Sequence, residues 1–61
     1  MVTYHKFNNK IYRLKNNNGL YEAEEYDDKT REFKLQYQAR PSDIQSLGFE
    51  MSLEEVLKIL K

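Results

Sequence analysis

The residues that could do chemistry in this chain are few. His5 is the one imidazole, there is no cysteine, and acids are concentrated at Glu22, Glu24, Glu25, Asp27 and Asp28. A histidine acts as a general base only when a nucleophile lies within hydrogen-bond reach. Ser42 and Ser52 stand where helices should start, so His5 has nothing to activate and reads as a strand residue. No catalytic residue is assigned, and the chain is not expected to be an enzyme. Thiolate metal sites are excluded by the missing cysteines, and one histidine cannot complete the usual zinc sets. The acids do not follow a calcium-loop spacing. Arg13 and Lys34 are their expected cross-strand neighbours, which makes them an ion-paired, solvated face. With two glycines in all, no phosphate-cradling loop can be drawn. No cofactor and no metal are expected.

The elements that would carry these residues are short. Residues 2–7 and 11–15 are aromatic and β-branched runs separated by Asn8, Asn9 and Lys10, which reads as a hairpin. The tetrapeptide Asn16-Asn17-Asn18-Gly19 is the strongest turn signal, because Asn-Gly accepts the left-handed backbone that closes antiparallel strands. A third run covers 20–26. After Asp27-Asp28-Lys29-Thr30, a fourth covers 31–39, where Phe33, Leu35, Tyr37 and Ala39 alternate with Lys34, Gln36 and Gln38.

Loop length sets register, and a slip of one residue sends every side chain to the other face. A four-residue loop at 16–19 places Leu14 opposite Tyr21, Tyr12 opposite Ala23 and Arg13 opposite Glu22. An odd loop before the fourth strand places Tyr21 opposite Tyr37, Ala23 opposite Leu35 and Glu24 opposite Lys34. A three-residue loop at 8–10 adds Val2 and Tyr4. The expected apolar face is therefore Val2, Tyr4, Tyr12, Leu14, Tyr21, Ala23, Phe33, Leu35 and Tyr37. A sheet with one apolar face needs a cover. Ser52-Leu53-Glu54-Glu55 is a capping box, and Met51 with Val56 forms a hydrophobic staple. From Leu53 on, Leu53, Val56, Leu57, Ile59 and Leu60 share one side of a helix, with Glu54, Glu55, Lys58 and Lys61 on the other. Ser42 starts a shorter helical turn over 43–47, which Gly48 ends, and Pro41 stops the fourth strand. The fold class is α+β: a four-stranded antiparallel meander sheet with one face covered by a C-terminal helix, a short helical turn before it, and residues 1–61 as a single small domain.

Leu47-Gly48-Phe49 followed by Ser52-Leu53-Glu54-Glu55-Val56 resembles the helix start of MerR-type regulators, with Glu50 and Met51 inserted. It is also similar to the helix start of HicB-type antitoxins, which follows antiparallel strands. The resemblance covers about 15 residues and implies a capped helix; no activity or site residue is transferred from it.

Sixty-one residues with ten basic and ten acidic side chains carry no net charge that would advertise a membrane or nucleic acid as partner. No apolar run is long enough to span a bilayer, no signal segment opens the chain, and the absence of cysteine suits a reducing compartment, so the cytoplasm is expected. The charge is uneven, however. Lys6, Lys10, Arg13 and Lys15 precede any acid and lie among Tyr4, Phe7 and Tyr12, a composition that suits single-stranded nucleic acid. The neighbouring glutamates would cancel much of that attraction. Residues 42–61 can also be drawn as a helix-turn-helix, but Glu54 and Glu55 would then face phosphates. In the expected register Phe7, Ile11 and Tyr26, with His5 beside them, point outward at one end of the sheet as a partner-binding cluster. The helix's apolar arc is wide for one small sheet, so Ile59 could reach a second copy. The expected role is a small non-catalytic protein-interaction or regulatory module, its partner another protein or a second copy of itself; the alternative is a nucleic-acid-binding regulator using Lys6, Lys10, Arg13 and Lys15.

Overall fold

The computed structural model describes residues 2–60. Lys61, expected on the polar side of the last helix, lies outside the described residues. The chain forms β1 (Val2–Phe7), β2 (Lys10–Asn17), β3 (Leu20–Asp27), β4 (Glu32–Leu35), α1 (Pro41–Leu47), β5 (Phe49–Met51) and α2 (Leu53–Ile59). The class is α+β as expected, but the antiparallel sheet has five strands, in the order β4-β3-β2-β1-β5. The added strand, β5, pairs with the far side of β1, setting Met51 against Tyr4 and Phe49 against Lys6.

Turn chemistry sets the register. Asn8 and Asn9 both have positive φ, and so do Asn18 and Gly19. Two consecutive left-handed residues make the two-residue turn whose twist matches that of the flanking strands. Asn16 Oδ1 accepts a hydrogen bond from the Gly19 N–H at 3.0 Å and holds the second turn. The third connection has four residues. Asp27 Oδ1 accepts from the Lys29 N–H at 2.9 Å, and Arg31, at positive φ, returns its N–H to the Asp27 carbonyl at 2.7 Å.

Every connection is thus even, and this corrects the expected pairing. Leu14 lies opposite Ala23, Tyr12 opposite Glu25 and Arg13 opposite Glu24, two residues from expectation, so β2 and β3 keep their faces. The first hairpin pairs His5 with Tyr12 and Thr3 with Leu14. The third pairs Tyr26 with Phe33 and Glu24 with Leu35. Both differ by one residue, so Val2, Tyr4, Phe33 and Leu35 turn to the face opposite Tyr12 and Leu14. Tyr37 and Ala39 follow the end of β4 rather than extending it.

The sheet therefore has two apolar faces. On one, Tyr12, Leu14, Ala23 and the fully buried Ile44 of α1 form the core, with Phe7 and Ala39 packed against it. α1 begins with Pro41 at its first position, where the missing N–H costs nothing. Arg40 is the N-cap and makes no side-chain cap bond, so Ser42 is not the cap. On the other face, Met51 and Val56 are buried, and Ile59 of α2 lines a hollow with Ile11 and Tyr26. The expected capping box of α2 is complete: the Glu55 N–H donates to Ser52 Oγ at 3.2 Å, and the Ser52 N–H to Glu55 Oε1 at 3.0 Å. The short helix thus covers the Tyr12–Leu14 face, and the C-terminal helix lies on the reverse.

Gly48 joins α1 to β5 where the backbone runs tight against β1. A Cβ there would stand 2.6 Å from the Ile44 carbonyl oxygen and 3.0 Å from that of Lys6. Gly48→Ala should lower stability by roughly 1–3 kcal/mol, and Ile44→Ala by about 2–5 kcal/mol. Urea unfolding followed by far-ultraviolet circular dichroism measures both.

Candidate functional site

The middle of β2 and β3 carries the densest charge. Arg13 Nε donates to Glu24 Oε1 at 2.7 Å, and Lys15 Nζ reaches Glu24 Oε2 at 3.5 Å. Glu24 is buried, so the pair sits in a medium where an unpartnered carboxylate would be costly. The Arg13 guanidinium also lies 4.5 Å from the centre of the Phe33 ring. Phe33 in turn packs against Tyr4 and Tyr26, with ring centres 5.9 and 5.2 Å away. The Phe33 face thus holds the guanidinium in place by cation–π attraction while it binds Glu24.

The reverse side of the same strands bears a second polar group. Tyr12 Oη donates to Glu25 Oε1 at 3.0 Å, and Lys10 Nζ stands 3.0 Å from that oxygen. Burial, the Glu25 hydrogen bond and the Glu25 charge together push the Tyr12 hydroxyl up to about 12. The hydrogen bond from Lys10 outweighs burial and, with that of Tyr12, holds Glu25 below the usual carboxylate range. For Glu24, burial opposes ionisation, but the hydrogen bond and charge of Arg13, aided by Lys15, prevail and lower its pKa.

Three of the four basic residues considered for nucleic acid, Lys10, Arg13 and Lys15, are therefore already held by carboxylates. Lys6 is exposed, and among the described residues no carboxylate lies within ion-pair distance of it. The four also divide, with Lys10 on the Tyr12 face and Lys6, Arg13 and Lys15 on the other. Phosphates would have to displace Glu24 and Glu25 to reach Lys10, Arg13 and Lys15.

The expected partner cluster is divided as well. His5 is buried on the Tyr12 face, with Nε2 2.9 Å from Thr3 Oγ1 and Nδ1 without a partner. Phe7 shares that face, its ring 6.2 Å from that of Tyr12. Ile11 and Tyr26 lie on the reverse, together in the hollow that Ile59 borders. The even first turn causes this: it sets Ile11 against Lys6, and Phe7 against Lys10.

Other apolar side chains stand in solvent instead. Leu20, Tyr21, Leu35 and Tyr37 are exposed, Tyr37 at 87%. With Ala23, Ala39 and Pro41 they line a hollow of about 400 Å³ beside the end of β4. Sequence reasoning placed Tyr21, Leu35 and Tyr37 in the core. The overlooked signal is Gln36-Tyr37-Gln38, in which one aromatic between two amides can as readily leave a strand as continue it. Among the described residues no three His, Asp or Glu side chains gather where they could hold a metal ion, and no helix is long and apolar enough to cross a membrane.

No family model, curated protein or solved structure matches the chain.

Folding lowers the pKa of Glu24 below its ordinary 4.5, so its stabilisation is complete above that pH and is lost as the pH falls through the folded value. Glu24→Gln should cost about 1–3 kcal/mol at neutral pH and close to nothing once the wild-type carboxyl is protonated; urea unfolding across the acid range tests this. Tyr12 has the opposite sign. Its raised pKa adds stability below its ordinary 10.0, which is lost as the pH climbs toward about 12. In an ultraviolet titration, Tyr12 should ionise at a pH of about 12, and Tyr12→Phe should remove that late step.

Proposed function

We propose that this chain is a small non-catalytic module of the cytoplasm that binds another protein, taking up an extended apolar segment of it at the hollow beside β4. The observation that carries this reading is the collection of Leu20, Tyr21, Leu35 and Tyr37 in solvent around one hollow. Most residues of so small a chain are needed for its own core, and a tyrosine left standing beside an apolar recess is the kind of side chain that anchors interfaces. β4 is four residues long and ends the sheet. Its outer edge therefore offers unpaired backbone groups next to the recess, and an added strand uses both: main-chain hydrogen bonds for affinity and an alternate side chain in the recess for specificity. The lack of cysteine supports a reducing compartment.

Panning a displayed library of random peptides against the full chain tests this. Enriched peptides should carry an aromatic or branched aliphatic residue and shift the amide resonances of Leu20, Tyr21, Leu35 and Tyr37. Tyr37→Ala should weaken them roughly tenfold or more with no change in melting temperature. Peptides that bind Tyr37→Ala and Leu20→Asp as tightly as the parent chain would overturn the reading.

A further inference from the structure

We infer that α2 is the contact of an antiparallel, twofold-symmetric dimer of this chain. The inference shares with the preceding section the premise that apolar side chains held in solvent are there for contact, but it rests on a different surface.

A seven-residue helix is too short to persist on its own and depends on packing for its stability. Within one copy that packing is slight. Val56 is 2% exposed, whereas Leu53 and Leu57, one turn apart on a neighbouring strip of the helix, are 61% and 56% exposed. The local signals nonetheless fix the helix firmly, through its full capping box and the burial of Met51 and Val56 at the two positions of a hydrophobic staple. Leu53 and Leu57 are thus displayed on a well-defined ridge.

Charge selects the occupant. Glu54 and Glu55 lie in the first turn and Lys58 in the last. A second α2 running antiparallel brings each Leu53 against the other copy's Leu57 and places each Glu54 within reach of the other copy's Lys58. A parallel partner would set glutamate against glutamate. Twofold symmetry forms the charge pair twice, as an isologous contact requires, and antiparallel helix dipoles favour the same arrangement. With ten acids and ten bases, two copies approach without net repulsion.

Area agrees. The chain exposes 4898 Å², whereas a monomer of its 7.4 kDa is expected to expose about 4,200 Å². Part of that surplus is the exposed side chains of Leu53 and Leu57, which a second copy would cover.

Sedimentation equilibrium of the full chain, at on the order of 100 µM where a micromolar contact is populated, should approach twice 7.4 kDa. Leu57→Asp should return it to the mass of one chain with its circular dichroism spectrum unchanged. Glu54→Lys and Lys58→Glu should each weaken association roughly tenfold, and an equimolar mixture of the two should restore it. These two positions are exposed, so the mixing test decides even where Leu57→Asp unfolds the chain. A one-chain mass at every concentration overturns the dimer, and a dimer indifferent to all three substitutions overturns its assignment to α2. Peptide binding at the Tyr37 hollow, repeated on the Leu57→Asp monomer, reports on that hollow independently.

Discussion

In an antiparallel sheet a side chain shares its face with the residue directly across, so the number of residues in each turn decides what both faces are made of. Here all three hairpin connections are even. Left-handed Asn8-Asn9 and Asn18-Gly19 close the first two, and together they align His5 with Tyr12 and Leu14 with Ala23. The four-residue connection before β4 turns Phe33 toward Tyr4 rather than toward Leu14. From this arithmetic come a sheet with apolar residues on both sides, a helix on each side, and a first helix that takes the central core.

The two faces solve the burial of charge differently. Where Glu24 is buried, Arg13 answers it and the Phe33 ring braces Arg13 from above. Where Glu25 is half-buried, a tyrosine hydroxyl and a lysine share one of its oxygens. Both arrangements use the alternation of β3, whose adjacent glutamates point to opposite sides and so meet separate partners instead of repelling each other across one face.

Much of this was legible in the residues, and the remainder has physical reasons for having been hidden. The turn at Asn18-Gly19, the shared faces of β2 and β3 and the capping box of α2 are local, and local chemistry specifies them. Lys10 is as compatible with a turn as with a strand, so nothing near it chooses between a three-residue loop and a two-residue turn. That choice alone carried Phe7 and His5 from the expected outer cluster to the core face. Arg31 adopts a left-handed backbone that its side chain does not advertise. β5 is three residues long with a glutamate at its centre, and it is a strand because β1 lies beside it. Tyr37 belongs to a strictly alternating run, yet the strand stops at Leu35 and leaves it in solvent.

β5 also has a protective consequence. Without it, β1 would be a rim strand six residues long, with the backbone groups of Tyr4, His5 and Lys6 open to any passing extended chain. A cut after Leu47 would therefore do more than loosen the fold. It would replace the three-residue rim of β5 by the six-residue rim of β1, and turn a domain with two short exposed borders into a template for edge-to-edge aggregation.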